Sequence, residues 1–159
     1  MIIHVINRQK ICKPNVGKIK AALNFFWNKA APGSGWKEIS LVLMDDDGIR
    51  KIKRQFFDVD CVTDVISFSP SPQPADGGRQ PAEIVVNVER ACLEGKKRRG
   101  LDDEFALYLA HGCDHLAGHN DRILKARNNM RRRERQWLNW AAKMNLLSGL
   151  FGPAHKRNP

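Results

Sequence analysis

Two histidines four residues apart, His111 and His115, are the residues with the strongest potential for chemistry. Positions i and i+4 share one face of a helix, so both imidazole rings can point at one metal ion. Gly118 follows, and glycine lets a chain leave a helix in a left-handed conformation that could return Asp121 to the same point. Three ligands with a position left for water are typical of catalytic zinc. The spacing therefore predicts one Zn²⁺ per chain, bound by His111, His115 and Asp121.

Other residues of this window leave the third ligand open. His119 or Asn120 could replace Asp121, since both lie in the turn that follows the helix. Two histidines at this spacing can also be a simple core or surface pair, because the motif gains weight only from its context. Cys113 lies inside the window, but its helical position faces away from the two histidines, which predicts a packing role.

The charge of the chain favours a polyanionic partner. The formal net charge is +10 and the sequence pI is about 9.8, values that point to nucleic acid. Basic residues flank the histidine motif on both sides, and Glu134 is the only acid between Arg122 and Lys143. A charge run of this kind can also be a solvated helix face. The pattern predicts nucleic acid as the partner, with the following substrate-binding candidates in the basic segment after the motif: Arg131, Arg132 and Arg133.

Composition predicts a cytoplasmic protein of one domain. The four cysteines are scattered without a CxxC spacing, as expected for reduced thiols. No apolar run is long enough for a membrane span, and the first residues read as a strand rather than a signal peptide. We therefore expect no membrane partner.

Periodicity predicts a small mixed four-stranded sheet packed with helices, an α+β (α/β) fold. The predicted strands are 1–6, 39–44, 63–68 and 83–88, and the predicted helices are 14–31, 49–57, 89–94, the motif helix and 123–144. Residues 45–48, which read DDDG, are expected to form a turn and helix cap, and the pair Asp102–Asp103 is expected to cap the motif helix. Residues 70–81 are expected to form a proline-rich loop. The domain is expected to span residues 1–147, followed by a flexible tail over 148–159.

Three sequence blocks resemble one family, the YbeY endoribonucleases, also described as rRNA maturation factors. Residues 63–68 read TDVISF and are similar to the family's TDVLSF block, and residues 82–86 read AEIVV and are similar to its GEIxI strand. The motif over 111–121 is similar to HGxLHLxGYDH, and Met130 and Glu134 match the M…E spacing downstream. The resemblance covers roughly residues 2–147.

The resemblance implies a single-domain fold with one bound metal, usually zinc, and a metal-dependent endoribonuclease specific for single strands. It implies a role in ribosomal RNA maturation, at the 3′ end of the small-subunit rRNA, and in ribosome quality control. Implied partners are ribosomal RNA, the ribosome, and ribosomal or RNA-processing proteins. The family's three metal-binding histidines fall on His111, His115 and Asp121.

The sequence departs from the family pattern at several positions. Asp121 replaces a histidine, although aspartate is an acceptable zinc ligand. Asp114 stands where the family has leucine, and a Tyr-Arg pair before the first block is replaced by Phe56 and Phe57. Arg54 lies nearby but out of register, and it is the substrate-binding candidate that the resemblance leaves in this segment. A proton acceptor is needed for phosphodiester cleavage, and Asp64 and Asp114 are the candidates.

Two other functions are compatible with the motif. Zinc metallopeptidases share the ligand spacing, but they place a glutamate general base directly after the first histidine, where this chain has Gly112. A non-catalytic RNA- or ribosome-binding protein with a structural metal would also explain the basic charge.

Overall fold

The computed structural model describes residues 1–69 and 81–152. In chain order, its elements are β1 (Ile2–Asn7), α1 (Val16–Ala30), β2 (Glu38–Met44), α2 (Asp46–Phe57), β3 (Val65–Phe68), β4 (Ala82–Asn87), α3 (Val88–Lys96), α4 (Leu101–Leu116) and α5 (Leu124–Lys143). Within this part of the chain, no helix is both long and apolar enough to cross a lipid bilayer.

The four strands form one sheet in the order β1-β2-β4-β3. β1, β2 and β4 are parallel, and β3 runs antiparallel to β4 at one edge. β2 and β4 are buried on both faces, which explains their nearly continuous apolar sequences. One face packs against α1 and α4, and the other packs against Ile49 of α2. This single-domain α+β architecture with a mixed four-stranded sheet confirms the predicted fold class.

Helix α4 approaches the sheet very closely at Gly112. A Cβ atom added to Gly112 would lie 2.9 Å from Ile84 Cγ2 and 3.3 Å from Val65 Cγ2. The Ser67 hydroxyl donates to the Gly112 carbonyl at 3.1 Å. Glycine is therefore required by packing, and the contact fixes the histidines on either side of it relative to β3 and β4.

The acidic residues at the start of α4 do not act as predicted. The N-cap is Gly100, without a side-chain cap hydrogen bond. Asp102 instead accepts hydrogen bonds from the backbone N–H groups of Gly149, Leu150 and Phe151, at 2.7 to 3.2 Å. The predicted helix cap within residues 45–48 is confirmed, and the capping residue is Asp45, whose side chain accepts from Gly48 N at 2.8 Å.

The same contacts place residues 148–152 against the domain, where the sequence predicted the start of a flexible tail. Leu150 is fully buried, and Phe151 packs edge-to-face on Phe105 with ring centroids 4.8 Å apart. The sequence prediction grouped residues 148–152 with the polar residues that follow them, whereas the apolar pair Leu150 and Phe151 is part of the core. Residues 153–159 and most of the predicted proline-rich loop, 70–80, lie outside the described residues.

Candidate metal centre

The imidazole rings of His111 and His115 converge at the C-terminal end of α4. Their Nε2 atoms lie 2.9 Å apart, and the ring planes are nearly perpendicular, at 85°. One side-chain oxygen of Asp121 joins them, and the three potential ligand atoms all lie within 4.8 Å of one another. The structure thus brings together the three residues that the spacing singled out.

Each histidine is oriented by a hydrogen bond at its other nitrogen. His111 Nδ1 contacts Glu134 Oε1 at 2.7 Å, and His115 Nδ1 contacts the backbone carbonyl oxygen of His119 at 3.1 Å. An imidazole that donates from Nδ1 presents the lone pair of Nε2, and metal-binding histidines are commonly held in this way. This donor set, two imidazoles and a carboxylate, fits a divalent metal ion such as Zn²⁺.

The chain reaches Asp121 by the turn that the glycine predicted. Gly118 has a φ of 95°, in the region that favours glycine. Arg127 of α5 donates from Nε and Nη2 to the backbone carbonyl of Asp121, at 3.3 and 3.2 Å. The position of Asp121 therefore depends on both the turn and the packing of α5.

The alternative third ligands make other contacts. His119 Nδ1 contacts Asp114 Oδ1 at 2.9 Å and is not part of the cluster, and Asn120 Oδ1 accepts a hydrogen bond from Arg122 N at 3.3 Å. Cys113 is fully buried, and burial raises the pKa of its thiol above the usual range. The structure thus agrees with a packing role for Cys113.

Burial and the neighbouring charges act in opposite directions on the pKa of His111. Burial favours the neutral ring and lowers the pKa, while the hydrogen bond and charge of Glu134, with Asp64 and Asp121, raise it. The net result is a raised pKa for His111. The three carboxylates also make the site attractive to cations.

A cavity of about 780 Å³ opens beside the cluster. His111, Asp121, Glu134 and Asp64 are among its lining residues, so a substrate in the cavity can reach both the cluster and Asp64. Thr63 Oγ1 and Val65 N donate to Asp64 Oδ1, at 3.3 and 2.8 Å. Of the two candidate proton acceptors, Asp64 is therefore the one that faces the cavity.

Asp114 is unsuited to proton transfer with a substrate. Its side chain is fully buried and contacts Arg133 Nη2 through both oxygens, at 3.1 and 3.0 Å, besides the bond with His119. It lines neither cavity described here. The aspartate that replaces a family leucine instead joins the end of α4 to α5.

The predicted substrate-binding arginines separate into different environments. Arg131 lines the cavity, whereas Arg133 is held by Asp114, and Arg132 is exposed and bonds to Asn129 Oδ1. Arg54 pairs with Asp60 at 2.8 Å and does not line the cavity. Phe57 is also outside it, half exposed and stacked on Phe68.

Several residues of the site were not predicted from the sequence. Glu134 orients His111, and its signals in the sequence were an isolated acid in a basic helix and the match of Met130 and Glu134 to the family's M…E spacing. Three further arginines line the cavity: Arg90, Arg98 and Arg127. Arg90 and Arg98 are paired with Asp46 and Glu104, at 3.0 and 3.3 Å. Arg127 lies four residues before Arg131, a spacing that could have indicated a shared helix face.

Comparisons with known proteins agree with the geometry. The chain is 33% identical over 115 residues to the endoribonuclease YbeY of Salinibacter ruber, covering 69% of this chain and 73% of the relative. It is 34% identical over 137 residues to the protein of that name in Elusimicrobium minutum, covering 82% and 92%. The match to the Myxococcus xanthus protein is 40% identical over 86 residues, 52% of this chain, but spans 29% of that longer relative.

The solution structure of TM1509 from Thermotoga maritima has the same fold, with a TM-score of 0.61 at 18% identity, covering 98% of this chain and all of that chain. The family model described as endoribonuclease YbeY matches residues 4–142, which include all of the sheet except the first two residues of β1 and all but the last residue of α5. The chain therefore belongs to the YbeY family.

Proposed function

We propose that this protein is a metal-dependent endoribonuclease that cleaves phosphodiester bonds in single-stranded RNA. The observation that carries the proposal is the cluster of His111, His115 and Asp121 at the wall of a cavity lined by arginines. The relatives named as endoribonucleases support the reaction type.

His111, His115 and Asp121 would hold one divalent ion, which we propose to be Zn²⁺. A metal at this position supplies a Lewis acid for a phosphoryl oxygen and promotes ionisation of water near neutral pH. Glu134 and the His119 carbonyl hold the two rings in place, and mispositioned ligands would weaken binding.

The other residues of the cavity have separate roles. Arg131 binds the phosphate backbone beside the cluster, since it is exposed and has no ion-pair partner in the described part of the chain. Arg127 assists Arg131 in binding the phosphate backbone, at the end of the cavity where Asp121 lies. Asp64 would accept the proton of the attacking water or ribose 2′-hydroxyl group through Oδ2, since both hydrogen bonds described above go to Oδ1. As the new P–O bond forms, the bond to the leaving oxygen breaks and that oxygen takes up a proton from solvent.

We further propose that the protein shares the family's role in rRNA maturation, so that its biological substrate is ribosomal RNA. The reaction is processing of the 3′ end of the small-subunit rRNA, together with ribosome quality control. This places the protein in the cytoplasm, in contact with the ribosome and with ribosomal or RNA-processing proteins. The net charge of +10 suits such a polyanionic environment.

A metallopeptidase reaction is disfavoured because Gly112 occupies the position of the glutamate general base. A Cβ atom there would lie 2.9 Å from Ile84 Cγ2, so any side chain at this position would require Ile84 or the helix to shift. The remaining alternative is a non-catalytic RNA-binding protein with a structural metal. The two functions differ in the effect of substituting a metal ligand, because only an enzyme would lose RNA cleavage.

The test combines metal analysis with RNA cleavage. The purified protein should contain about one equivalent of zinc, and chelation should abolish cleavage of a single-stranded RNA until zinc is restored. His115→Ala should lose both metal and cleavage, while His119→Ala keeps the backbone carbonyl that contacts His115 and should retain both. Full cleavage by His115→Ala, or by the chelated protein, would reject the proposal.

A further inference from the structure

A second cavity, of about 890 Å³, adjoins the first. Five residues line both cavities: Arg98, Glu104, Leu107, Arg131 and Glu134. The second cavity continues along α5 toward its C-terminal half and reaches Leu138 and Ala142, away from the histidine cluster. A strand that passes the cluster would therefore enter the second cavity next.

Arginines dominate the charge of this second cavity. Arg98 and Arg99 come from the connection between α3 and α4, and Arg131 and Arg135 come from α5. Among the described residues, only Arg98 of these four has an ion-pair partner, Glu104 at 3.3 Å. Unpaired guanidinium groups in a concave surface attract anions and can bind phosphate in a bidentate manner.

The acids of the same cavity do not neutralise this charge. Glu134 contacts His111, and Glu104 contacts Arg98, so both are engaged. Asp103 is the third acid and lies at the α4 side of the cavity. Arg99, Arg131 and Arg135 remain available for a ligand.

The arginines of α5 have the spacing of a backbone-binding stripe. Arg127, Arg131 and Arg135 are separated by four residues each, so they share one helix face, with a rise of about 6 Å per step. Arg127 lines the first cavity, Arg131 lines both, and Arg135 lines the second. This step is comparable to the distance between successive phosphates of an extended single strand.

We propose that the second cavity, through Arg99, Arg131 and Arg135, binds the sugar-phosphate backbone of the RNA strand whose scissile bond lies at the histidine cluster. The inference rests on the proposed function for its substrate, and it extends the binding site by several nucleotides on one side of that bond. RNA that extends into this cavity should bind more tightly and with a steeper salt dependence than a short strand that fills only the first cavity.

The experiment compares two double variants of equal charge. Arg99→Gln with Arg135→Gln removes two cations of the second cavity, and Arg132→Gln with Lys143→Gln removes two exposed cations of α5 that line neither cavity. Binding of a long and a short single-stranded RNA is measured by fluorescence anisotropy over a range of salt concentrations, with zinc-loaded protein and an uncleavable RNA backbone.

The first double variant should reduce the salt slope for long RNA by about 1.4, since each phosphate contact on a single strand contributes roughly 0.7. The matched double should change this slope by less than half as much, and the difference between the two variants should vanish with short RNA. Equal slopes for the two double variants on long RNA would overturn the proposal, as would an equal difference on short RNA.

A separate measurement of RNA cleavage by the wild-type protein distinguishes failure of the second-cavity inference from failure of the proposed function. If wild type cleaves RNA and the slopes are equal, the reaction stands and the second cavity is a solvated face. If wild type retains zinc and cleaves nothing, but the slopes differ as expected, the backbone site stands without the reaction.

Discussion

Glu134 of α5 contacts His111 of α4, with 2.7 Å between Oε1 and Nδ1, and the carboxylate is buried. The contact joins two helices across the candidate metal centre and fixes the ring whose Nε2 faces Asp121. A carboxylate at this position also increases the basicity of the imidazole as a ligand.

Glu134→Gln should therefore weaken metal binding while leaving the fold intact. The glutamine keeps the volume of the side chain but removes its charge, and loss of such a partner typically lowers metal affinity by about 10- to 100-fold. Zinc affinity is measured by competition with a chromophoric chelator. Glu104→Gln is the matched control, since Glu104 is another buried acid of the cavity and contacts Arg98 rather than a histidine. Equal losses in the two variants would show a general effect of charge.

Arg133→Gln should destabilise the protein, although its neighbour Arg132 can be replaced freely. Arg133 is the cation that contacts the fully buried Asp114, and its loss leaves that carboxylate with His119 alone. Leaving a buried charged group short of a partner should cost about 2 kcal/mol. Urea denaturation should show a lower midpoint at unchanged slope. Arg132→Gln should stay within about 0.5 kcal/mol of wild type, and similar midpoints for both variants would contradict the assignment.

The difference between these neighbouring arginines shows where sequence reasoning ended. The ligands His111, His115 and Asp121 could be predicted because they lie within one helix end and its turn, where spacing determines geometry. The roles of Arg131, Arg132 and Arg133 depend on how α5 is rotated against α4, since consecutive helix residues point about 100° apart. The contact of Glu134 with His111 depends on the same packing, and so does the contact of Asp102 with residues 149–151.

The cysteines should differ strongly in their reaction with iodoacetamide at pH 8. The thiolate is the reactive form, and burial raises the pKa of Cys12 to about 12, so only about one part in ten thousand of it is ionised at this pH. Burial also raises the pKa of the Cys113 thiol, while Cys61 is exposed. Peptide mass spectrometry should find Cys61 modified first and Cys12 and Cys113 protected until the protein unfolds. Fast labelling of Cys113 that zinc prevents would instead identify it as a metal ligand.

The last prediction concerns the aspartate at the third ligand position. Asp121→His should keep the metal, because the cluster then contains three imidazoles, and it removes one negative charge beside the ion. A less neutralised ion is a stronger Lewis acid, so RNA cleavage should persist with an optimum at lower pH. Imidazole reaches further than a carboxylate, and the turn after Gly118 and the contact of Arg127 with the Asp121 carbonyl must accommodate it.

Metal content and the pH profile of cleavage are measured for wild type, Asp121→His and Asp121→Ala. Asp121→Ala should lose metal far more readily than His119→Ala, whose side chain contacts Asp114 outside the cluster. Full metal and full activity in Asp121→Ala would show that Asp121 is not a ligand. Loss of metal in Asp121→His as well as in Asp121→Ala would show that the turn is built for the shorter side chain.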